Sequence, residues 1–477
     1  MKLNEYTQYD GLGLAELVRG EQVTPGELVE TALAAIEHVN PRINAVISPL
    51  VDEAKATLAR GLPRGPFTGV PFLIKDAVLH AAQLPCEMGS RLAQGLVMPY
   101  DSELMARFRR AGIVPVGRTN TPEMAFNITT EPLLHGPSRN PWNPEYSTGG
   151  SSGGAAAAVV AGIVPLAHAN DGGGSIRIPA SLCGVFGLKP TRGRTPLGPD
   201  MSDGLNGLGI EHVVSRSVRD SAAMLDATAG PDAGEPYQIQ APERPYLKEL
   251  EREPGRLRIA LSRVPPTGVP VSPECVTAVE DAARLCLELG HEVVEASPQF
   301  DTSGFDHANL VIWSSNLAIW VEGMAAATGR SPEATLEATT WATVQYGRGL
   351  KATDLQLAFA TMNQISRAVG RFFTNYDLLL TPTVAVPPYK LGVVDANVPM
   401  TAEEWVKRIF SFCPFTALFN FTGQPAMSVP LYWSEGLPIG VQFAGRMGDE
   451  ATLFRLAAQL ERARPWAARR PPIHAAL

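Results

Sequence analysis

Gly69-Val70-Pro71-Phe72-Leu73-Ile74-Lys75-Asp76 sets five apolar residues in a row directly before a lysine and an aspartate. So short a run, without polar alternation, predicts a strand buried on both faces that delivers its last residues to a sheet edge. On either side the chain alternates between helix and strand. Upstream, Thr24, Pro25 and Glu27 spell an N-cap, a first-turn proline and a capping-box acid. They start a helix expected to end near Asn40-Pro41. Downstream, the pattern predicts a helix over 102–111, a strand over 113–117, a Pro/Asn-rich loop over 120–148, a helix over 152–161 and a strand over 164–167. A helix over 217–229 closes at Gly230.

Five prolines mark residues 231–256 as a linker or excursion. The pattern then resumes with strands over 258–261 and 291–295 around a helix over 274–289. Residues 301–375 are expected to be helix-rich, with Trp313, Trp320 and Trp341 as apolar anchors. Strands over 377–380, 426–430 and 439–444 and a helix over 451–462 complete the reading. The expected fold is α/β: a mixed central sheet covered by helices on both faces, with a helix-rich insertion in the second half. One large domain over 1–477 would have a core of about 65–230 and 376–465, a helical N-terminal part over 1–64 and a smaller substrate-side region over about 231–375.

Composition narrows the function classes. Hydrophobic residues make up 45% of the 477 and charged residues 18%, a balance that excludes a disordered chain. The net charge of -8 supplies no basic field for nucleic acid or anionic lipid, so neither nucleic acid nor membrane is an expected partner. Cys86, Cys183, Cys275, Cys286 and Cys413 are scattered and never spaced C-x-x-C, which argues against a disulfide framework and a thiolate metal site. With Glu5, Asp10 and Glu16 where an export signal needs an apolar core, a cytoplasmic location is expected. A homodimer is left open.

Three segments carry chemistry: Lys75 at its strand end, Gly149-Gly150-Ser151-Ser152-Gly153-Gly154, and Asp171-Gly172-Gly173-Gly174-Ser175. Successive glycines let backbone N–H groups converge on one point without Cβ obstruction, as an oxyanion hole requires. That makes Ser175 a candidate nucleophile beside its own donors. None of the eight histidines stands in a recognisable catalytic setting. Lys75 is the alternative base, because desolvation by Val70, Phe72, Leu73 and Ile74 disfavours its ammonium form.

The chain resembles the amidase signature family. The likeness rests on the stretch from Gly69 to Asp76, Asn120-Thr121-Pro122-Glu123, Asn140-Pro141-Trp142, the Gly149 segment, Asp171 through Arg177, and Gly187-Leu188-Lys189-Pro190-Thr191. Later pieces agree: Tyr376 through Thr383, Gly423-Gln424-Pro425-Ala426 and Gly436 through Gln442. The resemblance implies a Ser-cisSer-Lys triad of Ser175, Ser151 and Lys75, working through an acyl-enzyme. It implies oxyanion donation by the amides of Gly172, Gly173, Gly174 and Ser175, and a cis peptide at Ser151. Ser152 is then a supporting hydrogen-bonding residue, and Asp171 with Arg177 an ion pair bracing the loop. Gly172 replaces a residue often larger in relatives, which should loosen the loop. No metal and no organic cofactor is implied.

Three other readings compete. Gly149-Gly150-Ser151-Ser152-Gly153 fits the G-x-S-x-G elbow of a histidine-dependent serine esterase, but residues 140–145 read as a turn-rich loop unable to supply the strand that elbow needs. An ammonia-releasing amidotransferase subunit is disfavoured because residues 204–216 and 301–375 do not resemble its usual pattern. An inactive scaffold should have lost one of Lys75, Ser151 or Ser175. Phe126, Ile128 and Trp313 are candidates for an apolar substrate pocket, with ordinary core packing the competing explanation. The run His168-Ala169-Asn170-Asp171 and the segment Arg192 to Pro196 are similar to hydrolases of 6-aminohexanoate cyclic dimer and broad-range amidases. The expected partner is a small neutral amide, anilide or oligoamide, with esters and carbamates as extensions that would include urethane cleavage.

Overall fold

The computed structural model describes residues 1–477. Eleven strands form one mixed sheet: β1 (Val46–Pro49), β2 (Pro71–Lys75), β3 (Val114–Thr119), β4 (Leu166–Asp171), β5 (Phe186–Lys189), β6 (Ile210–Ser215), β7 (Arg258–Leu261), β8 (Glu292–Glu295), β9 (Leu378–Pro382), β10 (Ala426–Ser434) and β11 (Leu437–Gly445). Their spatial order is β1-β3-β2-β4-β6-β5-β10-β11-β9-β7-β8. β2 runs parallel to both β3 and β4, whereas β6 is antiparallel to β4 and β5. Every residue of β2 is buried, as its unbroken apolar run predicts for a strand inside a helix-covered sheet.

Five helices frame the region around the end of β2: α1 (Pro25–Ile43), α2 (Gly153–Val160), α3 (Arg177–Cys183), α4 (Thr302–Thr328) and α5 (Ala402–Phe412). The helix-rich stretch comprises α4, then Pro332–Thr335, Ala338–Arg348 and Ala352–Phe372. The buried apolar residues fall into two clusters. One joins α1, α2 and β2 to β4; the other gathers the later strands and the helix-rich stretch. Ile74 and Ala169 belong to the first and Phe126 and Trp313 to the second, so the predicted site residues lie where the two cores meet.

The structure departs from the sequence reading in several places. α1 does not stop at Asn40-Pro41 but continues to Ile43, with Pro41 inside it and left-handed Asn44 as its cap. The Asn40 side chain takes over the chain's exit by accepting from the amides of Ala45 and Val46, each at 2.8 Å. The strand expected over 164–167 reaches Asp171, because each of its residues pairs with one of β6. β1, β5 and β6 were not anticipated. Lastly, residues 140–145 do supply a strand, since Asn143–Ser147 pairs with Arg139–Asn140. That hairpin is a separate two-stranded sheet, so it does not provide the main-sheet strand that a nucleophile elbow needs.

Candidate active site

Lys75 is the last residue of β2 and is fully buried. Its Nζ lies 2.7 Å from Ser151 Oγ and 2.9 Å from Ser152 Oγ, and it donates to Asn170 Oδ1. Burial pushes the ammonium pKa down to about 7, against the opposing pull of Glu211 and Asp171. Desolvation wins because the ammonium loses far more hydration than the neutral amine. A buried amine that sheds its proton near neutral pH is what a general base requires.

The two serines that meet Lys75 stand just before α2. The Gly150-Ser151 peptide is cis. A Cβ on Gly150 would lie 2.7 Å from the Thr129 carbonyl oxygen and 2.8 Å from that of Asn127, so the backbone must pass there bare. Ser175 follows β4 on the glycine loop. Its carbonyl accepts from the Ser152 amide at 3.3 Å, tying the two serine segments together. Ser151 and Ser175 border one open pocket with Asn170, Asp171, Gly172, Glu211 and Trp313. The Ser175 hydroxyl is held by no protein hydrogen bond, and the Ser151–Ser175 bond that a relay needs is not formed.

Asp171 organises the glycine loop. Its carboxylate receives Arg177 Nε and Nη2, both at 2.9 Å, and the pair is fully buried. Burial opposes ionisation, yet the Arg177 charge holds the carboxyl down at about 2. The same carboxylate accepts from the amides of Gly174 at 2.7 Å and Ile176 at 3.1 Å. The Gly174 amide is therefore committed to Asp171 and is not an oxyanion donor, a correction to the expected set. The amides of Gly172, Gly173 and Ser175 have no backbone or side-chain acceptor and remain available.

A second, shallow cavity meets the first at Ser175 and Trp313, and is lined by Phe126, Ile128, Gly173, Ile178 and Phe410 among others. Phe126 and Trp313 pack with ring centroids 5.1 Å apart. The structure thus brings all three predicted pocket residues to the nucleophile loop, on the wall of a cavity and in the apolar core at once. Gly172 does not loosen this loop, contrary to what its lack of a side chain suggests. A Cβ there would meet Leu205 Cδ1 at 2.7 Å and Trp313 Cζ2 at 3.0 Å, so the missing side chain is the space that the indole and Leu205 occupy. Gly172→Val is expected to cost about 1–3 kcal/mol of stability through overpacking, read as a lowered urea midpoint.

Sequence reasoning missed three residues around Lys75. His168 and Asn170 are two apart on β4 and so share a face, and Glu211 on β6 pairs directly with Asn170. The signal was a polar residue at every second position of a buried strand end. No histidine bonds to Ser151 or Ser175. His168 instead accepts the Lys75 backbone N–H on Nδ1 and donates Nε2–H to Glu211, which leaves the histidine-dependent esterase without a base. Asp76, Glu87 and His135 are close enough to share a metal ion. However, the Arg118 guanidinium already sits on Asp76 at 2.7 Å and Glu87 at 3.0 Å and supplies the positive charge a cation would bring.

Comparison with known proteins identifies the family. Residues 27–454 match the family described as Amidase. The chain is 38% identical to the 6-aminohexanoate-cyclic-dimer hydrolase of Paenarthrobacter ureafaciens, over 97% of this chain and 96% of that protein. A solved structure of 6-aminohexanoate cyclic dimer hydrolase superposes with a TM-score of 0.94 at 37% identity, covering 98% of this chain and 99% of the other. A bacterial aryl acylamidase of the amidase signature family superposes with a TM-score of 0.88 at 28% identity, covering 97% and 99%.

Proposed function

The chain belongs to the amidase family, whose members hydrolyse amide bonds, and from that premise we propose that it does so through Ser175, Ser151 and Lys75 by way of an acyl-enzyme. The observation that carries the reading is the buried Lys75 amine, poised near neutrality, 2.7 Å from a serine hydroxyl that shares a cavity with a second, unengaged serine.

Ser175 Oγ bonds to the substrate carbonyl carbon while its proton passes to Ser151 Oγ, and the Ser151 proton passes to Lys75 Nζ. The amides of Gly172, Gly173 and Ser175 receive the developing oxyanion. Lys75 returns its proton through Ser151 to the leaving nitrogen, so the C–N bond breaks to a neutral amine. Water then attacks the Ser175 ester by the same relay, and the acid departs. Substrate in the cavity closes the Ser151–Ser175 hydrogen bond, since catalytic hydrogen bonds often tighten only in the complex.

The substrate class follows from the walls. Both cavities at Ser175 are mainly apolar, and neither is lined by an arginine or lysine to pair with a carboxylate. This supports small neutral amides, anilides and cyclic or linear oligoamides, with esters and carbamates accessible to the same addition chemistry. The test is intact-protein mass spectrometry after mixing with a slowly deacylating aryl ester or carbamate, alongside product release from anilides, primary amides and cyclic oligoamides. The expected result is one acyl adduct mapping to Ser175 and turnover of at least one amide class. An adduct on another residue, or ammonia transfer seen only with a partner protein, would overturn the reading.

A further inference from the structure

Lys75 begins and ends a closed ring of four hydrogen bonds. Its backbone N–H donates to His168 Nδ1 at 3.2 Å, His168 Nε2–H donates to Glu211, Asn170 Nδ2 donates to Glu211 Oε1 at 3.2 Å, and Lys75 Nζ returns to Asn170 Oδ1. Each link fixes the next. Because Nδ1 accepts, the imidazole proton must sit on Nε2 and face the carboxylate. Because Glu211 and the Ala77 carbonyl oxygen both accept from Asn170 Nδ2, the Asn170 amide has one allowed orientation. Turning it over would set its oxygen against two acceptors and its NH2 against Lys75.

The remaining partner is equally committed. Ser152 Oγ donates to the Asn170 backbone carbonyl oxygen at 3.2 Å, so toward Lys75 it can only accept. A neutral amine has two N–H groups and one lone pair. With Asn170 Oδ1 and Ser152 Oγ taking both N–H groups, the lone pair is left facing Ser151. We propose that Glu211 is a positioning residue for amide hydrolysis: by locking the Asn170 amide it aims the free electron pair of Lys75 at the hydroxyl of Ser151. The inference rests on the reading of Lys75 as the base.

The charges around Lys75 are Glu211 on β6, Asp171 at the end of β4, paired with Arg177, and Asp76 just after β2, paired with Arg118 of β3; His168 on β4 accepts on Nδ1 and donates to Glu211. Among them Glu211 is the anion with no cation beside it, and it opposes the loss of the Lys75 proton. Glu211→Gln therefore has two separable effects. An amide at 211 cannot accept from both His168 and Asn170, so the aim is lost. Its missing charge also lets Lys75 deprotonate at lower pH.

The expected result for Glu211→Gln is kcat down about a hundredfold with KM changed by less than about threefold, and the acid limb of kcat/KM moved down by roughly one pH unit. Asn170→Asp, of the same size, places a carboxylate on Nζ and is expected to move that limb upward. Opposite displacements are not what a merely structural role produces. Circular dichroism verifies folding, and Asn170→Asp alone decides the matter where Glu211→Gln does not fold. A wild-type kcat and an unmoved acid limb in a folded Glu211→Gln, or an unmoved limb in Asn170→Asp, would overturn the inference. Inactive Ser175→Ala beside that outcome leaves the triad reading standing, whereas active Ser175→Ala removes the reading itself.

Discussion

Ser175→Ala is expected to lose about 10⁴- to 10⁶-fold in kcat, the range seen when a hydrolase forfeits the nucleophile of a unit that acts together. The fold should be unaffected. The Ser175 hydroxyl is held by no protein hydrogen bond, so its removal leaves no buried partner unsatisfied. The loop conformation is set by Asp171, which grips Arg177 and the amides of Gly174 and Ile176. Substrate should still bind, because both apolar cavities and the three unengaged amides are intact. The check is a pair of measurements: single-turnover product release, and thermal unfolding within about 1 °C of the parent, as for a surface substitution of a few tenths of a kcal/mol. Acyl-enzyme on this variant would identify a different nucleophile.

Lys75→Met removes the base while keeping most of the buried side-chain volume. The expected loss in kcat/KM is about 10²- to 10⁴-fold, the usual contribution of general acid–base catalysis. The pH profile is the sharper readout. In the parent the amine must be neutral to accept the Ser151 proton, and burial has brought its pKa down to about 7. Activity should therefore rise with pH through about 7 and level off above it. The residual activity of Lys75→Met should lack that limb and increase with hydroxide instead. A limb at the same pH in the variant would assign the titration to another group.

Much of this was visible in the chain because it was written locally. Five apolar residues before Lys75 announce a buried strand end, and the density of glycine around Ser151 and Ser175 announces backbone that must approach other groups closely. What escaped was written across the sheet. Asn170 and Glu211 are opposite each other only because β4 and β6 pair antiparallel in one register, and no local periodicity specifies which strands become neighbours. The Gly174 amide escaped for a related reason. Spacing shows that four amides are available near Ser175, but not which of them a neighbouring carboxylate will claim. Gly172 reads as slack in the sequence because it lacks a side chain, whereas Leu205 and Trp313 reach in to fill the space.

Trp313 lies on α4, within the helix-rich stretch, while Lys75, Ser151 and Ser175 lie on or beside β2, α2 and β4. One wall of the pocket at Ser175 is thus supplied by a helix far along the chain from the residues proposed to do the chemistry, so that wall can be reshaped without touching them.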